Sequence, residues 1–235
     1  MKIGLFFGSF NPIHNGHLMV ASYVANHSDL KQVWLVVSPQ NPLKAQGSLL
    51  NEYDRLHLAK LAIEEDTQLK VSDIEFSLPK PSYTIDTLIY LEEKYPQHEF
   101  SVIMGADSFQ NLPKWKNFET LVKNYSFIVY KRDGFDISNE YGARVQILEA
   151  PLLQLSATLI RNNRKEGITI RYLVPEKVRE EIENLDICFI ICFIWSNCFI
   201  KALISPISFP APLAILCLRL VESKSGFLLS KTVID

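Results

Sequence analysis

The apolar positions of this chain begin with a short run, KIGLFF at residues 2–7, that stops at Gly8. It is too short for a helix and suits a buried parallel strand. From His17 to Asn26 the pattern changes: Leu18, Val20, Ala21, Val24 and Ala25 follow helical spacing, which puts Gly16 and His17 at or just before a helix N-terminus. QVWLVVS (32–38) predicts a second buried strand, and PQNPLKAQG, with two prolines and a glycine, a loop. A helix is expected over 51–65, with Asn51 as N-cap and Asp54 in its first turn. LKVSDIEFS predicts a third strand, and a helix is expected to start near Ser82 or Tyr83. EFSVIMG, ending at Gly105, predicts a fourth strand, NYSFIVYKR a fifth and ARVQILEA a sixth. Short helices are expected over 156–163 and 175–185, the last with proline in its first turn.

Strands that alternate with helices and are mostly continuous in apolar residues imply an α/β fold. The expected form is a Rossmann-like, doubly wound, mostly parallel sheet with helices on both faces. In such sheets ligands bind beyond the carboxyl ends of the strands. The polar runs GSFNPIHNGH, SPQNPLK and GADS all fall at strand ends, and no internal repeat interrupts the series.

Composition changes the picture at one place. All five histidines precede Asp186 and all four cysteines (Cys188, Cys192, Cys198, Cys217) follow it. Residues 187–235 hold only six charged side chains and two dense apolar runs, so a catalytic domain over 1–186 and a C-terminal extension outside its fold are expected. The first run of that tail, 187–200, is shorter than the roughly 20 residues a membrane-spanning helix needs, and its cysteine spacing matches no zinc or disulfide framework. A formal charge of −2 does not point to a nucleic-acid or membrane-surface partner. Met1-Lys2 runs straight into the first strand without a signal peptide, so a cytoplasmic enzyme is expected. The oligomeric state is open, a homo-oligomer included.

The candidate chemistry starts at GSFNPIHNGHL. Gly8 lets a ligand approach the backbone, and the N–H groups and dipole of the following helix attract anions. His14 and His17, aimed at one place, suit hydrogen bonds to phosphoryl oxygens and stabilisation of charge at phosphorus. A metal pair and a structural loop cap are the competing readings, though no glutamate stands between the histidines as in HExxH. No metal site is assigned, and neither a GxGxxG loop nor a P-loop is present. About 140 residues on, LLQLSATLIRNN places Ser156 and Thr158 at a helix start with Arg161 one turn later, a phosphate cradle with a fixed cation. Alone, a serine there is usually just an N-cap.

Together the two runs resemble the HxGH and ISSTxxR motifs of the adenylyltransferase branch of the nucleotidyltransferases. Phe7 and Asn11 replace a glycine and an acidic residue, and Ala157 the second serine. Further runs, NPLK, PSYTIDTL and GADSFQNLPKW, resemble those of nicotinate-nucleotide adenylyltransferases, with Leu43 where a histidine is common. The resemblance spans about residues 1–186. It implies transfer of AMP from ATP, with Mg²⁺, to nicotinate mononucleotide, giving deamido-NAD and pyrophosphate. It implies His14, His17 and Arg161 as catalytic residues, and Gly8, Ser9, Phe10, Gly105, Asp107, Ser156 and Thr158 with them at ATP. Lys44, Thr84 and Trp115 would meet the pyridine mononucleotide. Nicotinamide mononucleotide or phosphopantetheine as acceptor, and a module that only senses a dinucleotide, are the alternatives.

Overall fold

The computed structural model describes residues 1–40, 49–132, 134–135, 137–151 and 153–184. Lys44 with its loop, and the tail 187–235, therefore lie outside the described residues.

The strands are β1 (Lys2–Gly8), β2 (Gln32–Val37), β3 (Leu69–Ser72), β4 (Glu99–Gly105), β5 (Ser126–Tyr130) and β6 (Arg144–Leu148). They pair in the order β3-β2-β1-β4-β5-β6, and every pairing is parallel. The helices are α1 (Asn15–His27), α2 (Glu52–Ala62), α3 (Thr84–Lys94), α4 (Ala106–Gln110), α5 (Phe118–Asn124) and α6 (Ala157–Lys165), and residues 176–184 form a further helix, α7. This is the doubly wound α/β fold that the pattern predicts.

Side chains alternate across the sheet, so each inner strand feeds two cores. Val33, Leu35 and Val37 of β2 join Val20 and Val24 of α1 and Leu58 of α2 on one face. Trp34 and Val36 join Leu88 and Leu91 of α3 and Phe109 of α4 on the other. Burial on both faces is why these strands read as unbroken apolar runs. β6 lies at the edge, and Arg144, Gln146 and Ile147 are exposed there.

The third strand is shorter than expected. It stops at Ser72, whose hydroxyl accepts from the Ile74 N–H at 3.3 Å, and residues Ile74–Ser77 turn into a 3₁₀ helix that buries Ile74 and Glu75. α2 begins as expected, with Asn51 Oδ1 accepting from the Tyr53 N–H at 2.9 Å, but ends at Ala62. GADSFQNLPKW, for which the pattern predicts no helix, carries α4 and a second 3₁₀ turn, Leu112–Lys114.

The strand order reverses beside β1, which lies between β2 and β4. That reversal opens a crevice at the carboxyl ends of β1 and β4, the usual ligand position in this architecture.

Candidate active site

A cavity of about 1070 Å³ occupies this crevice. Every described residue assigned above from the sequence lines it. Gly8, Ser9, Phe10, His14 and His17 come from the end of β1 and the start of α1. Gly105 and Asp107 come from the end of β4, Ser156, Thr158 and Arg161 from α6, and Thr84 and Trp115 from the opposite side.

The histidines stack face to face, ring centroids 3.6 Å apart at 21°. Helix geometry sets this: His14 is the N-cap of α1, and its carbonyl accepts from the His17 N–H at 2.9 Å. Gly16 makes room, because a Cβ there would lie 3.1 Å from His14 Nδ1. His17 also meets the Phe10 ring edge-on at 5.1 Å. His14 is 5% exposed, and its Nδ1 has no hydrogen bond to another described residue. Burial, helped by the Arg132 charge, lowers its pKa to about 4, so at pH 7 the imidazole is neutral.

The structure adds one detail of the β1 turn and corrects another. Gly8 lines the cavity, and its missing side chain also makes room for the Phe10 ring, which a Cβ there would meet at 2.7 Å. Phe10 itself sits at φ 44, in the left-handed region. The N–H groups at the start of α1 were expected to face an anion. The Asn15 N–H is instead bonded to the Leu173 carbonyl at 3.0 Å and that of His17 to His14, so α1 offers less backbone than expected.

The second motif closes onto the first. Arg161 Nη1 donates to the Asn11 carbonyl at 2.7 Å and Nη2 to Thr158 Oγ1 at 3.1 Å. One guanidinium thus joins α6 to the loop carrying the histidines. Ser156 caps α6, its hydroxyl accepting from the Leu159 N–H at 3.2 Å, so the capping reading is realised at a residue that also faces the cavity. At Asn11 the side-chain oxygen accepts from the Leu50 N–H at 3.2 Å, an acceptor role that a carboxylate would also fill.

On the other side of the crevice Thr84 is the first residue of α3, and Tyr83 is the N-cap. Thr84 is therefore not the cap that a threonine before a helix would suggest. Trp115 is half-buried; it packs on the core and also lines the cavity. Asp107 Oδ1 faces Arg132 Nε at 3.5 Å.

Two residues that line the cavity, Arg132 and Glu75, and one behind it, Arg55, were not found from sequence. Arg132 is a cation at the end of β5 that also faces the cavity. Arg55, only 1% exposed, donates to the carbonyls of Ser9 (2.5 Å), Ser38 (2.8 Å), Pro39 (3.0 Å) and Leu50 (3.0 Å). Burial lowers its pKa while Glu52 acts the other way. Glu75, 2% exposed, accepts from Ser82 and Thr87. Charges within VSDIEF and EYDRLHL look like solvated faces, and only the fold turns these two inward. Among the described residues no group of three or more His, Cys, Asp or Glu is placed to hold a metal, and no helix is long and apolar enough to cross a membrane.

Comparison with known proteins agrees with this geometry. A cytidylyltransferase-like family model matches residues 5–163. A Cytophaga hutchinsonii protein named "Probable nicotinate-nucleotide adenylyltransferase" is 52% identical over 185 residues, 77% of this chain and 95% of the relative. A Flavobacterium psychrophilum protein of the same name is 49% identical over 187 residues, 78% and 97% of the two chains. In fold, the chain is similar to the Plasmodium falciparum nicotinic acid mononucleotide adenylyltransferase complexed with NaAD. The TM-score is 0.68 at 21% identity, with 79% of this chain and 96% of that one covered. With the family model matching more than half of it and these relatives spanned almost end to end, the chain belongs to the nicotinate-nucleotide adenylyltransferase family of cytidylyltransferase-like proteins.

Proposed function

We propose that the protein transfers the adenylyl group of ATP to nicotinate mononucleotide, giving deamido-NAD and pyrophosphate, a step of NAD biosynthesis. The observation that carries this reading is the closure of Arg161 onto the Asn11 carbonyl. It puts both phosphate-directed motifs on one wall of a cavity large enough for two nucleotides.

The phosphate of the mononucleotide attacks the α-phosphorus of ATP in line. A P–O bond forms there as the bond to the β-phosphate oxygen breaks, and pyrophosphate departs with that electron pair. The attacking oxygen is already an anion, so the protein need supply neither a general base nor a covalent intermediate. His14 and His17 donate hydrogen bonds to phosphoryl oxygens. Arg161 adds a fixed charge, and Ser156 and Thr158 border the triphosphate with the Gly8–Phe10 turn. Gly105 and Asp107 border the nucleoside. Thr84 and Trp115 hold the pyridine ring, and Lys44 contributes to phosphate binding from its loop. ATP enters as its Mg²⁺ complex, and the ion partly neutralises the triphosphate. A carrier of that kind suits a site whose described residues offer no carboxylate cluster; Asp107 is already engaged by Arg132.

The test supplies ATP and Mg²⁺ with nicotinate mononucleotide, nicotinamide mononucleotide or phosphopantetheine and measures pyrophosphate. Release with the first is expected. Release only with another acceptor would reassign the acceptor, and nucleotide binding without release from any would make the protein a sensor. His17→Ala is expected to lower turnover by about two to three powers of ten, the scale of one lost charge-stabilising contact. Turnover near that of the wild type would remove His17 from the chemistry.

A further inference from the structure

The acceptor side of the cavity contains a carboxylate that the transfer chemistry leaves unused. Glu75 stands in the 3₁₀ turn after β3 and lines the cavity, yet is 2% exposed. Its oxygens accept from Ser82 Oγ at 2.7 Å and Thr87 Oγ1 at 2.9 Å, and the Ser38 hydroxyl bonds to it as well. The Ser82 and Thr87 hydroxyls are the donors in these bonds, the latter shared with the Tyr83 carbonyl at 3.2 Å, and hydrogen bonds to a carboxylate are strong and directional. Burial pushes the Glu75 carboxyl up, and the three hydroxyls offset this only in part.

The hydroxyls come from separate parts of the wall. Ser38 follows β2 and opens the loop that carries Lys44. It is fixed twice more, its N–H bonded to the Gly8 carbonyl at 2.9 Å and its own carbonyl to Arg55 at 2.8 Å. Ser82 belongs to the turn that delivers Tyr83 and Thr84, and Thr87 lies one turn into α3. Tyr83 and Thr84 line the cavity, as Trp115 does.

We infer that Glu75 is a positioning residue for the acceptor. By gathering Ser38, Ser82 and Thr87 on one carboxylate, it sets the distance between the end of β2 and the Tyr83–Thr84 edge on which the mononucleotide rests. The inference rests on the acceptor reading above. The ATP-directed turn is held by Arg55 on the Ser9 carbonyl and by the Ser38 backbone N–H on the Gly8 carbonyl, neither of which bonds to Glu75, so the effect of Glu75 falls on one substrate.

Glu75→Gln keeps the shape but gives one oxygen and an N–H₂ in place of two carboxyl oxygens, so the hydroxyl that faces the N–H₂ can no longer donate there and must change its role to acceptor. The expected result is a KM for nicotinate mononucleotide raised about tenfold, the scale of one lost charge-assisted hydrogen bond. The KM for ATP and kcat should stay within about twofold. A purely structural lesion would lower the folded, active fraction and leave both KM values alone. An unchanged acceptor KM in the folded variant, or an ATP KM rising in step, would overturn the inference. Should Glu75→Gln not fold, Ser82→Ala removes a single donor and must show the same one-sided rise in KM; equal KM values there would also overturn it. Amide hydrogen exchange over residues 82–88 reads the frame without any acceptor. Faster exchange in the variant is expected, and unchanged exchange would refute the frame even if the wild type used a different acceptor.

Discussion

Acidification should destabilise this protein through His14. The residue is 5% exposed, and burial, followed by the nearby Arg132 charge, lowers its pKa from 6.5 to about 4. Between those values the unfolded chain binds the proton and the folded one does not. Stability from this group is therefore complete above pH 6.5 and is lost as the pH falls toward 4. The gap between 6.5 and about 4, at 1.36 kcal/mol per pH unit, comes to about 3 kcal/mol at most. About 2 kcal/mol of that is gone between pH 7 and pH 5. Against a typical total of about 5–15 kcal/mol this is easily measured.

The assay is urea unfolding of the wild type and His14→Gln across pH 5 to 7.5. The glutamine does not titrate, so the stability difference between the two proteins must shift by about 2 kcal/mol over the window, against the wild type at the acid end. Ionisation of His27, His57 and His98, which do not line the cavity, cancels in the difference, and His17, stacked on His14, is followed by its own NMR resonance. An imidazole NMR titration gives the pKa directly. Arg132→Gln should then raise it part of the way only, because burial is the larger cause. A stability difference flat with pH, or a His14 resonance that titrates near 6.5, would refute both the burial argument and the neutral imidazole assigned to the resting site.

Three other outcomes are expected. Arg161→Lys leaves a cation but cannot reach the Asn11 carbonyl and Thr158 Oγ1 together, so kcat/KM for ATP should fall at least about tenfold at unchanged fold; unaltered kinetics would reduce Arg161 to a surface charge. Arg55→Met strips donors from four carbonyls, each worth about 1 kcal/mol or more when left without a partner, and calorimetry should show Tm lower by about 10 °C; an unmoved Tm would mean that water or neighbours replace the guanidinium. Truncation after Leu185 should keep activity and improve solubility, since relatives almost fully covered by the alignment match only 78% of this chain and the tail is densely apolar; loss of folded protein on truncation would place the tail in the core.

The sheet was legible because burial on both faces leaves unbroken apolar runs, and the parallel architecture follows from strands alternating with helices. α4 and α5 were not, since helices of five and seven residues are too short to display a 3.6-residue period. The end of β3 was missed for a similar reason. Nothing in VSDIEFS marks the turn except Ser72, whose hydroxyl takes over an N–H that a strand would have paired in the sheet.

Within the site, legibility follows what each half asks of its residues. Binding and stabilising a triphosphate requires imidazole, guanidinium and hydroxyl groups at helix starts, and such groups are visible in sequence because they are chemically unusual there. His14, His17 and Arg161 could therefore be named before the fold was known. The acceptor half depends more on spacing. Its order is held by Glu75, and the β1 turn and Ser38 beside it by Arg55; both residues in sequence resemble any surface charge and become exceptional only through burial, at 2% and 1% exposure. Ser38 joins the halves: its N–H meets Gly8 at the end of β1, its carbonyl meets Arg55, and its hydroxyl meets Glu75. Because the first two of these bonds belong to the backbone, Ser38→Ala removes only the hydroxyl that meets Glu75 and should, like Glu75→Gln, disturb the acceptor alone. That outcome follows from the connectivity of the fold, and no spacing of residues along the chain would have disclosed it.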